Sequence, residues 1–152
     1  MSSPAGAEGA GVVSATHPNV LIYLAALDAF NRNDLAALAD HVAADFVYRI
    51  PGRSIVAGEL CGIDGFVEAL TRLRDESAGT IELTPSTVLA DREDLIARAR
   101  VTASRGDRRL DTENCYAFRF VDGKVASGQV FLSDPDAVEG FWGTGARDGG
   151  RR

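Results

Sequence analysis

Residues 109–132 read RLDTENCYAFRFV, Asp122-Gly123, KVASGQVFL: two runs rich in valine, phenylalanine and tyrosine, joined by an Asp-Gly dipeptide. Asp-Gly tolerates positive φ at both central positions of a tight turn, so this stretch predicts a β-hairpin. Two further segments of the same character precede it. TIELTPSTVLA (80–90) and DLIARARVTASR (94–105) are separated by Asp91-Arg92-Glu93, and Gly106-Asp107 divides the second from the hairpin. From Thr80 onward the chain predicts four consecutive antiparallel strands.

The half before Thr80 has a different period. NVLIYLAALDAFN (19–31) carries Leu21, Leu24, Leu27 and Phe30 at helical spacing, with Pro18 in the first turn, where a missing N–H costs nothing. Asn33 or Asp34 can cap a second helix, DLAALADHVA (34–43), with Leu35, Leu38 and Val42 facing inward and His41 on the helix. DFVYRIPGRS (45–54) is a short β-rich run stopped by Pro51-Gly52, followed by a loop containing Gly58 and Gly62. Asp64 opens a third helix, GFVEALTRLRDES (65–77), and Pro135 starts a last short helical piece, DAVEGFW (136–142). Helices segregated from an antiparallel meander predict an α+β domain, with three N-terminal helices on one face of a strongly curved, mainly antiparallel mixed sheet. A cavity between those layers is the expected ligand site.

Composition narrows the function classes. The chain has 152 residues, a net charge of −6 and a single lysine, Lys124. A duplex-binding surface needs clustered cations to displace counterions, so no nucleic-acid partner is expected. Cys61 and Cys115 are far apart and make no zinc spacing with His17 and His41, which predicts no metal site and two buried or half-buried thiols in a reducing cytoplasm. No segment approaches the ~20 apolar residues that span a bilayer, so no membrane partner is expected. Residues 1–17 read as a mobile arm, 18–143 as the domain and 144–152 as a frayed tail.

In order and spacing, AFNRNDLAALADHVAADFVYRIPGRS, the Gly58 and Gly62 pair, and YAFRFVDGKVASGQVFLSD resemble the SnoaL-like branch of the nuclear-transport-factor-like superfamily. The resemblance runs over nearly all of 18–143. It implies a cone-shaped α+β barrel, a homodimer and a small-molecule pocket. It also implies positions for an acid–base pair, which this chain does not fill. The cyclase histidine and aspartate fall on Tyr116 and Val130, and the isomerase base falls on Ile50. The fold hosts many chemistries, so the activity has to be argued from the site.

Strand alternation extends these positions to a lining. With Ile50 inward go Tyr48 and Phe46; with Tyr116 go Asn114 and Phe118; with Val130 go Gly128, Leu132 and Asp134. Tyr23, one turn before Ala26, can join them from the first helix. Tyr48, Tyr116 and Asp134 are the candidate catalytic groups. The two phenols would donate to a carbonyl or enolate, or else serve as core tyrosines with backbone partners. Asp134 would be a rim acid with a raised pKa, or else a helix cap before Pro135. Arg98 and Arg100 share a strand face that would be a solvated outer face or a dimer face, or else would anchor an anionic ligand, and Cys115 falls opposite in phase to Tyr116. The expected function is that of a cofactor-free cyclase, isomerase or dehydratase acting on an apolar carbonyl-bearing or polyketide-like metabolite. The alternative is a non-catalytic binding or accessory protein using the same pocket.

Overall fold

The computed structural model describes residues 17–143. The arm and tail expected at the ends therefore lie outside the described residues, except His17, whose Nδ1 accepts from Asn19 N and caps the first helix. The elements run α1 (Pro18–Asn31), α2 (Leu35–Ala39), β1 (Val42–Ile50), β2 (Gly58–Cys61), α3 (Ile63–Glu76), β3 (Glu82–Asp91), β4 (Asp94–Arg105), β5 (Arg108–Val121), β6 (Lys124–Leu132) and α4 (Pro135–Trp142). The six strands form one sheet in the order β2-β1-β6-β5-β4-β3. Only the β1–β6 pairing is parallel, so the sheet is mixed and mainly antiparallel, as the pattern predicts. The sheet stays open, with β2 and β3 as its edges.

The Asp122-Gly123 hairpin forms with φ of 52° and 79°, the double positive that a type I′ turn requires. Pro85 lies in edge strand β3, beside a register shift, where its missing N–H breaks no central ladder. The Asn31 side chain closes part of that edge, donating to Leu83 O at 2.8 Å and accepting from Leu83 N at 3.0 Å. Below it, buried Arg74 of α3 donates to Phe30 O at the end of α1 and to Gly79 O, tying two helices together.

Three expectations are corrected. The second helix stops at Ala39, so His41 lies in a turn and Val42 opens β1 instead of completing a helical face. A five-residue helix has little intrinsic stability, and His41 O is claimed by Val125 N of β6. The loop around Gly58 contains β2, which pairs with β1 from Ile50↔Gly58 to Val47↔Cys61. Four polar-flanked residues give no pattern of their own; the edge of β1 makes them a strand. In α1 the buried face is Val20, Tyr23, Leu27 and Phe30, while Leu21 is turned out to solvent. Apolar residues occupy most of the first two turns, so spacing alone does not choose among the possible faces.

Candidate functional site

On the concave side, β4 presents Leu95, Ala97, Ala99, Val101 and Ala103 to the interior. Its neighbour β5 presents Leu110, Asn114, Tyr116 and Phe120. Small residues stand opposite the polar ones: Ala97 pairs with Tyr116 and Ala99 with Asn114. A cavity of about 160 Å³ lies between the helices and the sheet.

Tyr23 enters it from α1, and Phe46, Tyr48 and Ile50 enter from β1. Strand β5 adds Asn114, Tyr116 and Phe118, and β6 adds Val130 and Leu132. Of the eleven residues that strand phase and helix position put on the lining, the structure brings nine to one cavity. Gly128 lies behind the aromatic wall, and Asp134 stays outside. Strand β6 ends at Leu132, so the alternation that would carry Asp134 inward stops two residues early. Its exposed carboxylate accepts from Ala137 N at 3.1 Å and caps α4. The rim-acid expectation is corrected on that ground.

Phe118 is the centre of the aromatic wall. Its ring lies 6.2 Å from both Tyr48 and Tyr116, with interplanar angles of 2° and 1°, and 5.7 Å from Tyr23. Gly128 makes this possible. It is the β6 partner of both Tyr48 and Phe118. A Cβ there would fall 2.6 Å from Phe118 Cδ1 and 2.9 Å from Tyr48 Cδ1. Sequence reading placed Gly128 on the lining but missed this role, although a glycine inside a strand is the usual mark of close approach. Val138 and Trp142 of α4 also line the cavity. Their i, i+4 spacing was the available signal.

The polar groups of the lining are few. Tyr23, Tyr48 and Tyr116 are 6%, 7% and 7% exposed, and Asn114 is buried beside them. Burial pushes all three phenols up: Tyr116 to about 12, Tyr23 higher, Tyr48 well above the ordinary range. Proximity to Tyr116 adds to the effect on Tyr23 and Tyr48, whereas the Asn114 hydrogen bond partly offsets burial at Tyr116. At neutral pH these are uncharged O–H donors. Asn114 Nδ2 donates to the Tyr116 hydroxyl across a long 3.5 Å. The Tyr23 hydroxyl and Asn114 Oδ1 are buried without partners. Among the described residues, the lining holds no carboxylate, imidazole, thiol or cationic side chain. It thus offers a metal ion no strong ligand, and among the described residues no cluster of three or more His, Cys, Asp or Glu occurs.

The outer sheet face carries ion pairs between neighbouring strands. Arg100 holds Asp111 through two bonds of 2.8 and 2.7 Å, and Arg98 lies 3.5 Å from Glu113. Cys115 shares that face, and both it and Cys61 are exposed, which corrects the expectation of buried or half-buried thiols. Leu89, Ile96 and Phe131 are apolar and about half exposed there.

The architecture is an open mixed sheet folded over helices, with an apolar cavity in its concave face. A family profile described as SnoaL-like domain matches residues 23–128, and the chain belongs to that family. It is 33% identical over 115 residues, 75% of this chain and 88% of theirs, to uncharacterized proteins of Mycobacterium bovis and Mycobacterium tuberculosis. Among solved structures it is similar to Bal32a from a soil-derived mobile gene cassette, at 30% identity and TM-score 0.80, covering 82% of this chain and 96% of that one. It also shares its fold with TerC co-crystallized with polyporic acid, at 16% identity and TM-score 0.73, covering 81% and 97%. Among the described residues no helix is long and apolar enough to cross a membrane.

Proposed function

We propose that this cavity binds a small, neutral, carbonyl-bearing metabolite, without cofactor, and that Tyr48 and Tyr116 donate hydrogen bonds to its carbonyl oxygen. The observation that carries the reading is the set of buried, uncharged phenols in an otherwise apolar lining. A neutral O–H donor in a water-poor site binds a carbonyl well and favours the charge that develops on it during enolisation. TerC, a fold relative, was crystallized with a small molecule, which agrees with this use of the fold.

Of the two activities expected from the sequence, the geometry favours binding over protein-driven proton transfer. With Asp134 committed to α4 and every cavity phenol raised, no lining group exchanges a proton near neutral pH. As an enzyme of cyclisation, isomerisation or dehydration, the chain would contribute carbonyl polarisation alone.

Trp142, the chain's single tryptophan, lines the cavity and reports on occupancy by fluorescence. Acetophenone is expected to bind about tenfold more tightly than ethylbenzene, the difference one neutral hydrogen bond makes. Tyr48→Phe or Tyr116→Phe should reduce that preference while the melting temperature stays near wild type. Equal affinity for ketone and hydrocarbon in the wild-type protein sinks the proposal. Deuterium exchange at the acetophenone methyl separates the two activities: acceleration by the protein supports an enzyme, and an unchanged rate supports a binder.

A further inference from the structure

Asn114 Oδ1 faces a cost that the tyrosines do not explain. It is a strong acceptor, buried in an apolar lining, and among the described residues nothing donates to it. Such an atom forfeits its hydration without return, and buried polar groups left in that state are rare. A phenol could have donated to it, yet the amide meets Tyr116 through its Nδ2 at 3.5 Å, leaving the Tyr116 proton free to point elsewhere. Turned over, the amide would accept the Tyr116 proton at Oδ1 and leave Nδ2 as a free donor, so it is the orientation with Nδ2 toward Tyr116 that leaves an acceptor open. The Tyr23 hydroxyl, also buried and unpartnered, adds a second free donor from α1. Facing the cavity, the polar cluster is therefore an array of both kinds. It offers phenol donors for a carbonyl oxygen and, beside them, an acceptor that a ketone alone leaves empty.

The size of the space limits what can supply the missing donor. An apolar cavity of about 150 Å³ accommodates one benzene ring, and this one is about 160 Å³. Asn114 and Tyr116 project from the same face of β5, two residues apart. A ligand answering both must then carry its donor and its carbonyl within a few bonds of each other.

We infer that the cavity selects a single-ring hydroxy-carbonyl compound, whose hydroxyl donates to Asn114 Oδ1 while its carbonyl accepts from the phenols, and that Asn114 is the specificity-determining residue. This inference rests on the proposed carbonyl site and names its substrate class. The lining's lack of any charged group fits a ligand that is bound neutral, with its hydroxyl protonated.

The test compares 3-hydroxyacetophenone, acetophenone and ethylbenzene by Trp142 fluorescence, with calorimetry as the second readout. In the wild-type protein the hydroxyl is expected to add roughly tenfold or more in affinity over acetophenone. Asn114→Leu, which keeps the shape and removes both polar atoms, should bring that ratio to about one while preserving the preference for acetophenone over ethylbenzene. The free variant should melt at or above the wild-type temperature, since it loses an unsatisfied acceptor. A wild-type ratio near one overturns the inference, and is the outcome expected if a bridging water already serves Oδ1. A ratio that survives in Asn114→Leu also overturns it. If acetophenone binds no better than ethylbenzene, the carbonyl site itself fails. If acetophenone wins but the hydroxyl adds nothing, only the role of Asn114 falls.

Discussion

Gly128 has an ordinary backbone conformation, so its lack of a side chain answers a packing demand and not a dihedral one. The rings of Phe118 and Tyr48 converge over its Cα, and a methyl group there would sit well inside their van der Waals envelopes. Gly128→Ala should cost about 1–3 kcal/mol, the usual range for overpacking, and should disturb the Tyr48–Phe118–Tyr116 row that frames the cavity. Gly65 supplies the control. It lies in α3 with open space around the position of a Cβ, so Gly65→Ala should be neutral or stabilise by about 0.4–1 kcal/mol. Urea unfolding of the two variants measures the contrast, and equal stabilities would remove the packing account. Tyr48, Asn114 and Tyr116 were legible as lining residues because a strand's period of two carries phase over a short distance. Asp134 was misplaced by the same rule, applied past the last paired residue of β6.

Helix α4 shows how one element can be structural at one end and line the cavity at the other. Asp134 caps its start, while Val138 and Trp142 close part of the cavity wall. Its far end is held by Arg105, whose Nη1 donates to Phe141 O and Trp142 O at 2.8 and 2.7 Å, and whose Nη2 reaches Glu76 at 2.8 Å. A cation at a helix C-terminus meets the negative end of the dipole and satisfies carbonyls that have no intrahelical partner. Asp134→Ala should destabilise the protein by about 0.5–2 kcal/mol, whereas Asp134→Asn, an equally good cap, should leave stability nearly unchanged. Denaturant titration followed through Trp142 measures both. A large loss in the asparagine variant would show that the charge matters beyond the cap. The elements that the sequence missed or misbounded, β2 and the end of α2, are short ones whose identity is set by a neighbour: β1 for β2, and β6 for the segment after Ala39.

Across the whole molecule, all three tyrosines of the chain share one cavity, which links stability to alkaline pH. Their folded pKa values are raised, while in the unfolded chain they ionise near pH 10. Above about pH 10 the unfolded state releases protons that the folded state retains, so stability falls as pH rises. The contribution is fully present below about pH 10 and declines by up to about 4 kcal/mol per pH unit when all three phenols take part. Urea midpoints between about pH 9 and pH 11 should drop accordingly, and phenolate absorbance should appear only with unfolding. Phenolate forming near pH 10 in the folded protein would refute the burial of these groups. The sequence alone determined the α+β class, the helix-to-strand order, the type I′ hairpin and the inward phase of Tyr48 and Tyr116. Periodicity and turn chemistry are local properties, and local patterns survive without coordinates. Tertiary structure alone decided that β1 runs parallel beside β6, that Gly128 makes room for two rings, and that Asp134 stays outside. It also decided that Asn114 keeps an acceptor with no partner, because hydrogen-bond satisfaction depends on which distant strands and helices meet around an atom.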